Sequence, residues 1–361
     1  TDRTVVNSTL AQMKRTEEYA WLGNAYAQSL QSSVKNLYSA LSNRFSKKRK
    51  VKAGFPKFKS KHDSKQSFQY SQGTKVDFVK RRITIPKIGS VKFFNHTYVF
   101  NGKIKTTTIT KTSSGKYFMS ILVETNEYQA PKVKMSDDKV GIDLGVKTFA
   151  TLSDGMSIEN PKFYEKSLNR IKHYQRMVSR RQKGSNRREK TKVLLAKAHE
   201  QITNQRNDFL NKLTNNLVCS YGFIAVEDLN VQGMKRNHKL AQHIDSVSFS
   251  EFNRMLKYKA EERGVEVVKV DRFYPSSQTC ACCGYVDNSM KDLSKRTFKC
   301  PNCGHTMDRD MNASLNILNE AIRIKSLEEQ GSRTWRDCKT VDSTNQRMLN
   351  EASISNLVLQ D

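Results

Sequence analysis

The sequence predicts a multidomain protein in which an α/β domain, interrupted by a zinc ribbon, follows a small antiparallel β-module with a helical segment ahead of it. Three observations predict this. Apolar strand-like runs each carry a single acid, two Cys-x-x-Cys pairs lie between the last of these runs and a helix start, and short alternating runs fill the stretch from Ser67 to Val123. At 361 residues and 37% hydrophobic content, lobes around a groove are expected rather than one compact core.

Residues 8 to about 46 read as helix, because Leu30, Val34, Leu37, Leu41 and Phe45 recur at spacings of three and four. The helix runs into a basic stretch, Lys47 to Lys50, and is broken by Gly54 and Pro56. The alternating runs Phe68–Tyr70, Val76–Val79, Ile83–Ile85, Val91–Phe94, Lys105–Thr110 and Tyr117–Val123 follow, with turns at Gly73, Pro86 to Gly89, Asn101-Gly102 and Ser114-Gly115. A small antiparallel barrel or sandwich is expected from them. After a polar linker, Pro131 to Lys139, Val140-Gly-Ile-Asp-Leu-Gly reads as a buried strand with Phe149-Ala-Thr-Leu returning beside it. Residues 161–218 form a helical hairpin broken at Lys183 to Asn186. Phe223-Ile-Ala-Val-Glu-Asp-Leu is a second buried strand, Ser248 to Arg263 a helix closed by Gly264, and Val265 to Val270 a third strand. The cysteine module spans Cys280 to Cys303, and a helix starts at Asp308-Arg-Asp-Met-Asn-Ala.

Lys and Arg number 63 against 35 Asp and Glu, a formal net charge of +28. Charge of that size calls for a polyanion. No run approaches the roughly 18 apolar residues of a spanning helix and no signal peptide is evident, so nucleic acid is preferred to a membrane surface. Cys-x-x-Cys pairs point to metal rather than disulfides and to a reducing, cytoplasmic setting, associated with the nucleoid in a prokaryote.

An ionised carboxylate inside an apolar strand costs several kcal/mol unless a cation compensates it. Asp143 and Glu227 are in that position, and an acid at the helix start would complete a set able to hold two Mg²⁺ or Mn²⁺ ions for phosphodiester hydrolysis. Any one of these acids alone could cap a strand or pair with an arginine. Three in the order strand, strand, helix start, in a strongly basic chain, favour the metal. Cys280, Cys283, Cys300 and Cys303 match a four-thiolate Zn²⁺ ribbon, with Gly284 and Gly304 permitting each tight turn. Such a site has no open coordination position and is structural. The hairpin's Arg170, Arg176, Arg180, Arg181, Arg187 and Arg188 lack compensating acids and are candidates for phosphate contact, although charge runs are often solvated helix faces.

The segments Gly141-Ile-Asp-Leu-Gly-Val-Lys-Thr-Phe-Ala-Thr, Ala225-Val-Glu-Asp-Leu, Ser276-Ser-Gln-Thr-Cys, Cys300-Pro-Asn-Cys-Gly and Asp308-Arg-Asp-Met-Asn-Ala-Ser-Leu-Asn-Ile resemble the RuvC motifs and zinc ribbon of the TnpB proteins. These are transposon-encoded RNA-guided DNA endonucleases related to the type V CRISPR effectors. Phe55-Pro-Lys-Phe-Lys-Ser-Lys and Ser114-Gly-Lys-Tyr resemble that family's β-barrel region. The resemblance implies an RNase H-like (RuvC) nuclease domain with an inserted zinc ribbon, plus an oligonucleotide-binding β-barrel with a helical recognition insertion. It divides the chain into a helical recognition segment at 1–54, lacking the family's first β-strand, and a wedge-like barrel at 55–135. The RuvC domain occupies 139–272 with the basic hairpin 161–218, the zinc ribbon 273–305, the last part of RuvC 306–330, and a tail expected to be disordered 331–361.

It further implies a guide RNA and double-stranded target DNA as partners, one protein copy per guide, reading of a short target-adjacent motif, and cleavage at a single site. In that site Asp143, Glu227 and Asp310 are the catalytic acids. Asp310, with Asn312 two positions on, fits the family's Asp-x-Asn-Ala motif, and Asp308 narrowly does not. Two rivals use related folds: a nuclease-inactive RNA-guided DNA-binding repressor, whose kind loses the acids kept here, and a DNA transposase, for which no separate end-binding domain is evident.

Overall fold

The computed structural model describes residues 3–46, 54–60, 63, 66–94, 99–125, 136–234, 236, 247–292, 294–336 and 355–359. The basic stretch Lys47 to Lys50 and most of the linker from Pro131 lie outside them. The chain divides into two units, one of Thr1–Tyr128, Met177–Lys197 and Gln346–Asp361, the other of Gln129–Arg176 and Ala198–Asn345. The hairpin expected to sit wholly within the nuclease domain is therefore divided, its tip falling in the first unit.

In the first unit the expected single N-terminal helix is two, α1 (Arg3–Met13) and α2 (Ala27–Phe45), separated by a 3₁₀ segment, Glu17–Asn24. The apolar stripe of α2 has no fully buried residue, and Leu37 and Phe45 stand exposed. Strands β1 (Gln66–Tyr70), β2 (Lys75–Asp77), β3 (Arg82–Ile85), β4 (Gly89–Phe94), β5 (Lys103–Lys111) and β6 (Tyr117–Glu124) form where the alternating runs predict them. Alternation sends Ile83, Ile85, Phe93, Ile109, Met119 and Ile121 to one face, where they form a core with Tyr70. The sheet is antiparallel throughout, in the order β1, β5, β6, Ser355–Leu359, β4, β3, β2. Among the described residues no strand joins β1 to β2. The tail also departs from expectation, since Ser355–Leu359 lies as a strand between β4 and β6. Residues 337–354 lie outside the described set.

The second unit is built on a mixed five-stranded sheet ordered β11 (Glu266–Val270), β10 (Phe223–Glu227), β7 (Lys139–Leu144), β8 (Thr148–Leu152) and β9 (Ser157–Glu159). The two strands flanking β10 run parallel to it, whereas β8 returns antiparallel to β7 and β9 antiparallel to β8. Central parallel strands are covered on both faces, which explains their near-continuous apolar sequence. On one face α5 (Phe249–Arg263) supplies Phe249, Phe252, Met255 and Leu256 to a core shared with Val140, Ile142, Ile224 and Val226. On the other, Ile317 and Ala321 of α6 (Arg309–Arg336) pack with Phe223, Ala225 and Val270. The hairpin helices are α3 (Phe163–Arg180) and α4 (Asn186–Ser220). A two-stranded ribbon, β12 (Thr297–Lys299) and β13 (Thr306–Asp308), leads directly into α6. Among the described residues no helix is long and apolar enough to cross a membrane.

Candidate active site

The β7–β10 ladder sets Val226 against Ile142. One residue further along each strand, Glu227 and Asp143 stand side by side at the carboxyl ends of adjacent parallel strands, pointing to the same face. Open α/β sheets present ligands at this end. Gly141 lies on that face two residues earlier, and α6 rests against it. A methyl group at Gly141 would come within 2.1 Å of the Ser314 carbonyl oxygen and 2.8 Å of Leu318 Cβ. Only glycine lets the helix approach this closely. Asp310 lies one turn before Ser314 on the same side of α6, so the contact that needs glycine also carries the third acid toward the first two.

Asp308 has a different task. Its Oδ1 accepts the backbone N–H of Asp310 at 2.9 Å and of Met311 at 3.1 Å, capping the first turn of α6. The side chain of Asp310 is left to face Arg296, whose guanidinium stands 3.9 Å from Asp310 Oδ1.

A cleft of about 590 Å³ is lined by Asp143, Glu227 and Asp310 together with a fourth acid, Glu165, with Ser276, and with the cations Lys147, Lys162, Arg296 and Arg309. Burial pushes the Asp143 carboxyl up to about 7, helped by the charges of Glu227 and Asp310 and opposed by Arg309. Glu227 is raised by burial and eased downward by the Ser276 hydroxyl, which donates to its Oε1 at 2.6 Å. Two raised carboxyls and a third beside them form a hard oxygen donor set whose mutual repulsion a divalent cation relieves. Among the described residues only the four cysteines are a set of three or more such groups with ligand atoms within 4.8 Å of one another. Asp143, Glu227 and Asp310 share the cleft without meeting that spacing.

The four cysteines Cys280, Cys283, Cys300 and Cys303 converge. Cys280 Sγ lies 3.7 Å from Cys303 Sγ, and Cys283 Sγ 3.5 Å from Cys300 Sγ. A tetrahedron with metal–sulfur bonds of about 2.3 Å has an edge of about 3.8 Å, so these thiols fit zinc. Each knuckle repeats the same bonds: Cys280 N–H donates to the Tyr285 carbonyl and Gly284 N–H to that of Cys280, while Cys300 pairs with His305 and Gly304 with Cys300. Gly284 and Gly304 adopt φ of +75° and +72°, the left-handed turn that glycine permits. Cys282 is exposed and outside the cluster.

The arginines of the hairpin divide. Arg181 bonds to the Arg187 carbonyl and to Thr191, and Arg188 donates to the Val178 carbonyl at 3.1 Å, so both clasp the turn. Arg170 is held by Gln201 at 3.1 Å. Arg176, Arg180 and Arg187 are exposed. Gly141, Ser276 and Arg296 have roles here that the sequence did not assign.

A family model described as "Probable transposase" matches residues 120–238, and one described as "Cas12f1-like, TNB domain" matches 249–317. The first match contains Asp143 and Glu227, the second Asp310 and all four clustered cysteines. A Streptomyces pristinaespiralis protein described as a "Putative RNA-guided DNA endonuclease" is 34% identical over 91% of this chain and 82% of its own length. "Putative RNA-guided DNA endonuclease InsQ" of Escherichia coli is 35% identical over 86% of this chain and 78% of its own. "CRISPR-associated endodeoxyribonuclease Cas12f1" of Sulfoacidibacillus thermotolerans is 26% identical over 49% of this chain and 44% of its own.

Proposed function

This chain belongs to the TnpB family of transposon-encoded RNA-guided DNA endonucleases, related to the type V CRISPR effectors, and we propose that it cuts DNA at a guide-directed site through Asp143, Glu227 and Asp310. The observation that carries this reading is the convergence of three carboxylates, from two strands and one helix, on one cleft of a chain whose net charge is +28. The sheet order, with acids at the ends of two adjacent parallel strands and a third on a covering helix, supports an RNase H-like (RuvC) nuclease fold.

Asp143, Glu227 and Asp310 would hold Mg²⁺ or Mn²⁺. When bound, such ions supply a nucleophilic water at neutral pH and neutralise charge on the phosphate in flight. Lys147, Lys162, Arg296 and Arg309 line the same cleft and offset the repulsion between its four acids, Glu165 included, and a phosphodiester. Hydrolysis would leave a 5′-phosphate. Guide RNA and double-stranded DNA are the partners the reading requires, with base pairing reading sequence and the protein reading backbone shape and a short target-adjacent motif. Cys280, Cys283, Cys300 and Cys303 would hold a structural Zn²⁺.

The test is to purify the protein without nuclease treatment, sequence the RNA that accompanies it, and assay cleavage of matching DNA with Mg²⁺. Parent protein should cut. Asp143→Ala should lose about 100-fold or more, as expected when several kcal/mol of metal-borne stabilisation disappears. Equal cleavage by the two would overturn the assignment.

A further inference from the structure

The three acids are not the whole of the site, because Glu227 is held by a chain of hydrogen bonds that reaches the zinc ribbon. Ser276 is buried and donates to Glu227 Oε1 at 2.6 Å. The Ser276 carbonyl accepts Asn316 Nδ2 at 2.8 Å, and the same nitrogen donates to the Thr279 carbonyl at 2.6 Å. Asn312, one turn earlier on α6, donates to the Thr279 carbonyl at 2.7 Å, and its Oδ1 accepts the N–H of Ala281 at 2.9 Å. Ala281 follows Cys280 inside the first knuckle. Asn312 and Asn316 are 0% and 3% exposed.

Two buried amides on one helix face are costly unless every bond they make is used. They hold a segment, Pro275 to Ala281, that lies outside the five-stranded sheet and whose carbonyls need partners. We propose that Ser276 and Asn316 are positioning residues for Glu227: the amide fixes the Ser276 backbone against α6, and the hydroxyl then fixes one carboxylate oxygen at the cleft wall. Asn312 extends the tie to the first cysteine knuckle. The helix that carries Asp310 thereby also sets Glu227, so two of the three acids move together. This rests on the reading of the cleft as a metal-dependent active site.

A role in packing alone predicts lower stability with unchanged metal affinity. A positioning role predicts weaker metal binding, because partners that orient a ligand typically carry 10- to 100-fold in affinity. The experiment is a Mn²⁺ titration of the full chain with its accompanying RNA, followed by electron paramagnetic resonance. Binding by Asp143→Ala is subtracted, and zinc content and melting temperature are recorded alongside. Ser276→Ala and Asn316→Ala are each expected to raise the half-saturating Mn²⁺ concentration about 10-fold with zinc content unchanged. Ser276→Thr, which keeps the hydroxyl, should restore it. The double variant should be no weaker than the worse single one, since both act through one chain. Parent-like Mn²⁺ affinity in Ser276→Ala, or full additivity in the double variant, would overturn the proposal. If Asn316→Ala does not fold, the contrast between Ser276→Ala and Ser276→Thr decides alone. Parent protein with no Asp143-dependent Mn²⁺ binding would overturn the metal reading itself, a distinct result.

Discussion

Asp143 is the residue on which most of the site's electrostatics falls, and its protonation gives the first prediction. Burial, then Glu227 and Asp310, raise its carboxyl from 3.8 to about 7. Because the folded value lies above the unfolded one, Asp143 by itself costs the metal-free fold nothing below about pH 4, and its cost grows to about 4 kcal/mol as pH climbs through 7. A cation needs the ionised form, so proton and metal compete. The half-saturating Mg²⁺ concentration for cleavage should be flat above pH 8 and rise about 10-fold per unit below pH 7, with excess Mg²⁺ restoring the rate. A midpoint unchanged between pH 6 and 8 would count against it. At this scale the sequence is readable where chemistry contradicts its surroundings, as with acids inside Val140 to Leu144 and Phe223 to Glu227. Ser276 and Asn316 carry no such contradiction, because their partners, the Glu227 carboxylate for one and loop carbonyls for the other, are brought to them only by tertiary contact. The resemblance prefers Asp310 to Asp308 by the Asn two positions on, and the cap that Asp308 makes accords with that preference.

At the scale of elements, the cysteine knuckles are the best-declared feature, since four ligands, two glycines and their spacing repeat within a short stretch. Burial raises the Cys280 thiol, whereas the Tyr285 N–H and the Asn302 amide lower Cys283 to about 6. Cys283 is therefore the thiol readiest to meet a metal as a thiolate. Because Arg309 bonds to the carbonyl of Asp292 at 3.0 Å and Asn312 reaches Thr279 and Ala281, the ribbon also holds the start of α6. Chelating the zinc should speed amide hydrogen exchange across 275–310, leave strands β1 to β6 unchanged, and depress cleavage with Asp310 displaced. Cleavage at the parent rate after measured loss of zinc would refute this coupling. Elements without such markers read less well. Periodicity merged α1 and α2 because the residues that carry it, Leu30 to Phe45, all lie in α2 and say nothing of the 3₁₀ segment Glu17–Asn24. Ser355–Leu359 escaped notice because its pairing with β4 and β6 is wholly non-local.

For the whole molecule, an excess of 28 positive charges sets the physics of association. A nucleic acid releases condensed counterions when cations replace them, so affinity should fall steeply with salt, each phosphate contact adding about 0.9 to the logarithmic slope. The hairpin separates cations that build the fold from cations free to act. Arg181 and Arg188 are bound to backbone carbonyls at the turn. Arg176, Arg180 and Arg187 are exposed. Replacing these three with alanine should weaken nucleic-acid binding at 100 mM salt and flatten the plot of log affinity against log salt by up to about 3. Melting temperature should stay within a degree or so of the parent, as for surface substitutions of at most about 0.5 kcal/mol. Arg181→Ala should instead lower the melting temperature, because it leaves the turn unclasped. An unchanged salt slope in the triple variant would mean that this face of the hairpin is merely solvated, and that the phosphate contacts demanded by the net charge lie elsewhere on the protein.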